Sequence, residues 1–300
     1  MSYISNLRES IHSVIKDRKI IFLIIASFLI TFSTFAYYQL RIYPISIIKS
    51  LIVGSTYSFS WVIIAWLITD KSTLRKTLPY LSIFFLLLAD KIFWSVFYYF
   101  YPPVTFQEIV TSGSFNRAEN YEAIFDMAYY FSIILMFLVY ISVFLIFWKL
   151  SKPKEFKEKL SFIKKKNMFY VILATIFITM PHWIFRVIYF FSGRDFIMHL
   201  YESTLISSLF YFTIGAIPFI IALVIFSVII TNIKSSKKYI LYGLIMVFTF
   251  IYQIPLYNFG LWKFYDNIFL RTSYFAFYFV CYFAIYLSFL FLSKPKYIEQ

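Results

Sequence analysis

Five polar residues stand inside stretches that are otherwise apolar for about 20 residues at a time: Asp90, Lys91, His182, Arg186 and Gln253. A charge held at mid-bilayer costs ~3 kcal/mol even on a lenient insertion scale, so each such residue needs a reason. Counted at ~1.5 Å per residue from the inner helix ends, Asp90, Lys91, His182 and Gln253 fall about 18–21 Å deep and Arg186 about 27 Å deep. Three helices would therefore bring polar groups to one layer. A carboxylate, an imidazole and a guanidinium at one depth can pass a proton or hold an ion pair, and the local balance of one positive charge suits an anionic head group. Asp90 and Lys91 project ~100° apart on a helix, so they are expected to satisfy each other poorly. Asp90 is expected to pair instead with His182 or Arg186, which share a helix face, and Lys91 to extend outward among Tyr98, Tyr99 and Tyr101. The competing reading of the layer is a buried ion pair that only fixes helix register.

Other chemistries find few candidates. The chain has three histidines and one cysteine, and it lacks H-E-x-x-H, G-x-S-x-G, Walker A and G-x-G-x-x-G patterns. Asp90 has no acidic companion in the apolar stretches, which excludes an intramembrane aspartyl pair. No metal site and no cofactor are predicted. A bis-histidine haem needs two intramembrane histidines, so a haem would have to be shared with a partner subunit through His182. Cys281 reads as a small apolar residue. Pro181, Pro218 and Pro255 interrupt three successive stretches and are expected to kink them, Pro181 aiming His182.

The elements that must position these residues follow from composition. Of 300 residues, 61% are hydrophobic and 14% charged, and the mean hydropathy is +0.77. Soluble domains carry about 25% charge, so a soluble enzyme, a disordered chain and a disulfide scaffold are all excluded. About 20 apolar residues cross a bilayer core, and eight stretches qualify: 20–40, 50–69, 78–101, 127–148, 168–191, 204–231, 239–262 and 272–292. Their apolarity is continuous and does not alternate, which favours helices over barrel strands. The fold class expected is all-α, polytopic, with about eight transmembrane helices. The first stretch reads as a signal anchor, because it is longer than a signal peptide's apolar region and lacks a small-residue cleavage site.

Lysine and arginine set the orientation. With the N-terminus inside, the inner segments carry 20 basic residues and the outer segments six, so both termini are expected in the cytoplasm. The net charge of +14 thus has a topological origin and calls for no nucleic acid. Segments 1–19 and 149–167 carry short apolar stripes among their lysines. They read either as interfacial helices on an anionic inner leaflet or as solvated positive-inside segments. In the outer loop 102–126, Asn116 and Glu119 match a capping box that would start the fourth helix early.

The basic loop 149–167 divides a first four-helix set, 20–148, from a second, 168–292, with a short tail at 293–300. Ser151-Lys152-Pro153-Lys154 and Ser293-Lys294-Pro295-Lys296 close the two sets, and Ala26-Ser27 with Ile30-Thr31 echoes Ala174-Thr175 with Ile178-Thr179. These likenesses predict a parallel four-plus-four repeat with an axis along the membrane normal. Coincidence in a sequence of low diversity is the competing reading.

Tyr and Trp gather at the outer helix ends, as an aromatic belt or as a docking surface for a partner. Only six glycines are present, well below the usual ~7%, which leaves little equipment for the broken helices of many transporters. The function expected is therefore a non-catalytic, multi-pass subunit or anchor of a larger assembly (respiratory, secretion or transporter), with partner protein subunits, in a prokaryotic plasma membrane. The alternatives are a permease for an anionic or amphipathic substrate using the polar layer, and, more weakly, a membrane-embedded lipid-modifying enzyme.

Overall fold

The computed structural model describes residues 19–39, 47–69, 77–101, 115–151, 168–181, 183–184, 212–233, 235–258 and 268–293. These residues are helical apart from short connections, with no strand among them. The helices are α1 (Lys19–Gln39), α2 (Ile47–Ile68), α3 (Thr77–Phe100), α4 (Phe115–Ser151), α5 (Met168–Pro181), α6 (Ile217–Ile230), α7 (Lys238–Asn258) and α8 (Ile268–Ser293). Five apolar runs, on α2, α3, α4, α8 and on α6 with the turn before it, are long enough to cross a membrane. Shorter apolar runs cover Lys19–Thr34, Met168–Pro181 and Lys238–Gln253.

Each helix buries a stripe and exposes the rest, at helical spacing. On α1, Leu23, Ala26, Ser27, Ile30 and Thr31 are buried, while Phe22, Ile25, Phe28 and Phe32 face outward. On α5, Val171, Ala174, Thr175, Ile178 and Thr179 are buried, while Phe169, Ile172 and Ile176 face outward. Large apolar side chains such as Ile48, Phe85, Ile134, Val247 and Val280 are exposed on the outer faces of five helices. Water would not tolerate faces of this kind; lipid would.

Two helices lie at the centre. α2 packs on α1, α3, α4 and α8, and α8 packs on α7, α6, α1 and α2, while α6 completes the contact between α4 and α7. The core between them is built from aromatic rings. Trp61 of α2 makes edge contacts with Phe147 of α4 at 5.8 Å, Phe226 of α6 at 5.9 Å and Tyr286 of α8 at 6.0 Å between centroids. Phe226 in turn meets Phe144 at 5.3 Å and Phe289 at 5.2 Å. All of these but the tilted Phe144–Phe226 pair meet edge-on, and such pairs each add ~0.5–1.5 kcal/mol beyond area burial. Small residues let the backbones approach: Ser60 donates to the Ala26 carbonyl at 2.8 Å and also bonds the Tyr286 hydroxyl at 2.9 Å, so one serine joins α2 to α1 and α8.

Two details differ from the sequence expectation. α2 begins at Ile47 and so takes Lys49 into its first turn. α4 begins at Phe115, which places Asn116 inside the helix and not at its cap, and it runs for 37 residues. At ~1.5 Å per residue that is roughly 55 Å, far more than a bilayer core needs. At Pro218 the helix changes its winding: residues Phe212–Ala216 form a π turn that runs directly into α6 at Ile217, and the proline occupies the first turn of α6.

The inner ends of the helices are tied by side chains. Asn232, just beyond α6, donates from Nδ2 to the Ser151 carbonyl at 2.6 Å and the Ser293 carbonyl at 2.8 Å, and its backbone N–H donates to the Leu292 carbonyl at 2.9 Å. The end carbonyls of α4 and α8, which no helical N–H can reach, are thereby satisfied. Of the expected segments 1–19 and 149–167, residues 1–18 and 152–167 lie outside the described residues.

Candidate functional site

The close approach of α2 and α3 forms around Gly54. A Cβ added there would stand 2.9 Å from Leu88 Cδ1 and 3.1 Å from Lys91 Cβ. Glycine thus lets α3 lie close against α2 and seats Lys91 beside it. Ser33 donates to the Val53 carbonyl at 2.9 Å, and the Ser50 and Ser95 hydroxyls share a short hydrogen bond, which fix α2 between α1 and α3.

At this seam Lys91 Nζ lies 3.0 Å from Asp90 Oδ2. The expectation that these neighbours would fail to pair is overturned. The ~100° between their Cβ directions is bridged because lysine's four-carbon arm curls back to the carboxylate. The Asp90 side chain is 6% exposed and that of Lys91 31%, so the carboxylate is the sealed partner and the amine reaches it from the edge. A sealed carboxylate without a cation would be far costlier than the pair.

Lys91 also fails to extend toward Tyr98, Tyr99 and Tyr101. Its ammonium lies 4.8 Å from the centroid of the Tyr57 ring on α2, a cation–π contact of ~1–2 kcal/mol when shielded from water. The Tyr57 hydroxyl approaches the Tyr140 hydroxyl of α4 at 3.4 Å. Four groups on three helices therefore form one polar cluster: Asp90, Lys91, Tyr57 and Tyr140. Neither tyrosine stood out in the sequence, because 27 tyrosines mask any single one. Their position inside spans, and not at the ends where a belt forms, was the available signal.

Gln253 belongs to a second cluster, on α7 and α8. It is buried, and its Nε2 donates to the Tyr252 hydroxyl at 2.9 Å. Whichever way the amide is turned, its other end has no hydrogen-bond partner among the described residues. The Tyr252 ring lies 5.0 Å from that of Tyr282, whose hydroxyl approaches Thr34 Oγ1 at 3.3 Å. The layer expected from depth alone is thus resolved into two groups of side chains. His182 and Arg186 lie outside the described residues, as do His12 and His199. Pro181 ends the described part of α5, and Pro255 lies in the last turn of α7.

Between the clusters lies a cavity of about 30 Å³, lined by Tyr57, Trp61, Phe219, Leu223, Tyr282 and Tyr286 with aliphatic and phenyl groups beside them. Trp61 is buried, and its Nε1 has no hydrogen-bond partner among the described residues. Cys281 is a free, buried thiol packed in the core. No group of three or more metal-ligating side chains occurs among the described residues.

Five apolar helices long enough to cross a membrane, with outer faces that suit lipid, mark the chain as a helical membrane protein. No known protein family matches the sequence, and neither curated proteins nor solved structures offer a match to the chain.

Proposed function

We propose that all eight apolar helices span the plasma membrane of a prokaryotic cell with both termini in the cytoplasm, and that the chain is a non-catalytic subunit or anchor of a larger membrane assembly. The topology rests on the excess of lysine and arginine in the inner segments. The functional reading rests chiefly on the closed aromatic core. Trp61, Phe147, Phe226, Tyr286 and Phe289 interlock where the two sets of helices meet, and the adjoining cavity of about 30 Å³ is too small for a metabolite. Asp90 is already engaged by Lys91 on the same helix, and the contact of Lys91 with the Tyr57 ring ties the pair to α2.

We further propose that the two four-helix sets are a tandem repeat. Ser27 and Thr31 bond the carbonyls of Leu23 and Ser27 at 2.8 and 2.7 Å, and Thr175 and Thr179 bond those of Val171 and Thr175 at 2.8 and 2.9 Å. Thr69 and Thr231 each close their helix on the carbonyl four residues back at 2.6 Å, and each is followed eleven residues on by a tyrosine, Tyr80 and Tyr242, the latter donating to Thr231 Oγ1 at 2.9 Å. Ser151 and Ser293 each bond the carbonyl three residues back at 3.0 Å. Helix contacts agree: α4 meets α2 and α6, and α8 meets α6 and α2. The interval from Thr69 to Thr231 also carries Asp90-Lys91 onto Tyr252-Gln253, so the two polar clusters stand at equivalent positions. One is charged and one is neutral.

The test is purification from native membranes in a mild detergent, followed by native gel and mass spectrometry. A stoichiometric partner with its own soluble catalytic or ATP-hydrolysing domain is the expected result. A monodisperse protein without partners, whose substrate uptake in vesicles is abolished by Asp90→Asn at unchanged abundance, would replace the anchor with a permease.

A further inference from the structure

We infer that the inner end of α7 binds one anionic phospholipid, its phosphate against Lys237 and Lys238 and an acyl chain in a notch at Gly243. Charge carries the first half of the inference. The described residues at the inner helix ends include Lys19, Lys149, Lys237 and Lys238, whereas the acidic residues among the described ones, Asp90, Glu119, Glu122 and Asp126, all stand on the outer halves of α3 and α4. Among the described residues the charge of this end is therefore wholly positive, the complement of a phosphate. The inference rests on the proposed topology for which end faces the cytoplasm.

Apolar surface carries the second half. On α7, Tyr239, Ile240, Leu244, Val247 and Phe250 are exposed at helical spacing and form a stripe that starts beside the lysines. Gly243 lies within that stripe, about 8 Å deeper than Lys238. A Cβ added at Gly243 would meet nothing within 4 Å, so the glycine leaves a notch between Tyr239 and Val247, one turn away on either side. Methylenes of a lipid chain can fill such a hollow and gain dispersion contacts without displacing protein. The Lys238 ammonium lies 5.3 Å from the centroid of the Tyr239 ring, which holds the cation at the edge of the stripe. A free phosphate would use the lysines alone. The adjoining stripe selects an anion that carries a hydrocarbon tail.

The first four-helix set shows what the notch adds. The interval from Thr69 to Thr231 carries Lys237, Lys238 and Gly243 back onto Arg75, Lys76 and Leu81. Arg75 and Lys76 lie outside the described residues, and Leu81 is an exposed leucine on α3 where α7 has the notch. A basic pair alone is what the positive-inside rule asks of any inner end. A glycine on an exposed helix face is not, because it weakens the helix relative to alanine. Basic pair and notch coincide on α7, which makes one lipid per chain the expected number.

The experiment is native mass spectrometry of the full chain released from detergent micelles. The chain is offered equal amounts of a phosphatidylglycerol and a phosphatidylcholine with the same acyl chains, with inorganic phosphate as competitor. The expected result is one retained phosphatidylglycerol, preferred over phosphatidylcholine and not displaced by phosphate. Each base beside an anionic headgroup is worth roughly fivefold in binding. Lys237→Gln with Lys238→Gln should therefore lower the preference at least about tenfold, while the charge-matched Lys19→Gln with Lys149→Gln keeps it. Gly243→Leu, which fills the notch with the leucine of α3, should lower phosphatidylglycerol retention with both lysines in place. The two variants alter separate parts of the site, so misfolding of one leaves the other to decide. Equal retention of the two lipids by the unmodified chain, displacement by phosphate, equal losses in the two lysine variants, or full retention in Gly243→Leu would overturn the inference. Lipid retention in micelles reads neither orientation nor partner subunits, so this site and the proposed topology fail separately.

Discussion

The carbonyls of Ser151 and Ser293, the final residues of α4 and α8, accept hydrogen bonds from the same side-chain nitrogen, Asn232 Nδ2, at 2.6 and 2.8 Å. The two serines open the matching Ser-Lys-Pro-Lys tetrapeptides, in which a proline two residues on cannot continue the helix. Each serine also turns its own hydroxyl back to the carbonyl of the preceding turn. One asparagine therefore holds the inner ends of both units together.

Removing that amide should loosen the inner face. Asn232→Ala leaves two end carbonyls without their donor, and ~1–3 kcal/mol is the usual cost of stranding buried polar groups. Asn232→Asp should be worse, because a carboxylate would face two carbonyl oxygens. Thermal unfolding in detergent, followed by tryptophan fluorescence, should rank the wild type above the alanine variant and the alanine above the aspartate variant. An aspartate variant as stable as the wild type would show that the clamp carries no weight.

Glycine substitutions give a paired test of the α2–α3 seam. In Gly54→Ala the new methyl meets Lys91 Cβ at 3.1 Å and Leu88 Cδ1 at 2.9 Å. The leucine tip can swing aside, but Lys91 Cβ moves only with α3. Overpacking of this kind costs typically ~1–3 kcal/mol. A Cβ at Gly243 has nothing within 4 Å, so Gly243→Ala should be neutral, or stabilising by up to ~1 kcal/mol through helix propensity. Equal effects at the two positions would contradict the close approach at Gly54.

The helices were legible in the sequence because burial in lipid demands about 20 continuous apolar residues, a constraint stronger than any local propensity. The buried stripes on α1 and α5 were legible through Ala26-Ser27 and Ala174-Thr175. The pairing of Asp90 with Lys91 was not. Helical periodicity fixes where a Cβ points, whereas the reach of a four-carbon arm depends on what surrounds it, here the Tyr57 ring. Asn232 was hidden for a different reason: it lies in a short inner segment that reads as solvated, and only the tertiary fold brings α4 and α8 to it. Gly54 offered a signal in its position, a lone glycine inside an apolar run, which counting glycines overlooks. Trp61 did the same by sitting mid-span, away from any belt.

The ion pair should behave as a unit. Asp90→Asn leaves the Lys91 ammonium without its carboxylate, and breaking a buried pair costs up to ~3–5 kcal/mol, less here because Lys91 is partly exposed. Replacing Asp90 by Tyr and Lys91 by Gln together writes the neutral dipeptide of the second unit into the first. The double variant should recover most of the membrane abundance that Asp90→Asn loses, as read by quantitative immunoblotting of the membrane fraction. A double variant no better than the single one would mean that the first unit needs its charge for more than register.

The repeat makes a prediction about a contact between α4 and α5. Across α1 and α8, Phe28 and Phe275 meet edge to face at 5.5 Å. The interval from Ser27 to Thr175 carries Phe28 onto Ile176, and the interval from Ser293 back to Ser151 carries Phe275 onto Ile133. The exposures match as well, since Phe28 and Ile176 are exposed while Phe275 and Ile133 are half-buried. In a background with Cys281→Ala, cysteines at 28 and 275 should be joined by a short bifunctional thiol reagent. If α5 packs on α4 as α1 packs on α8, Ile133→Cys with Ile176→Cys should be joined with comparable yield, visible as a mobility shift on a denaturing gel. Joining of the first pair without the second, in a protein of normal abundance, would mean that the matching hydrogen bonds arose without a common architecture.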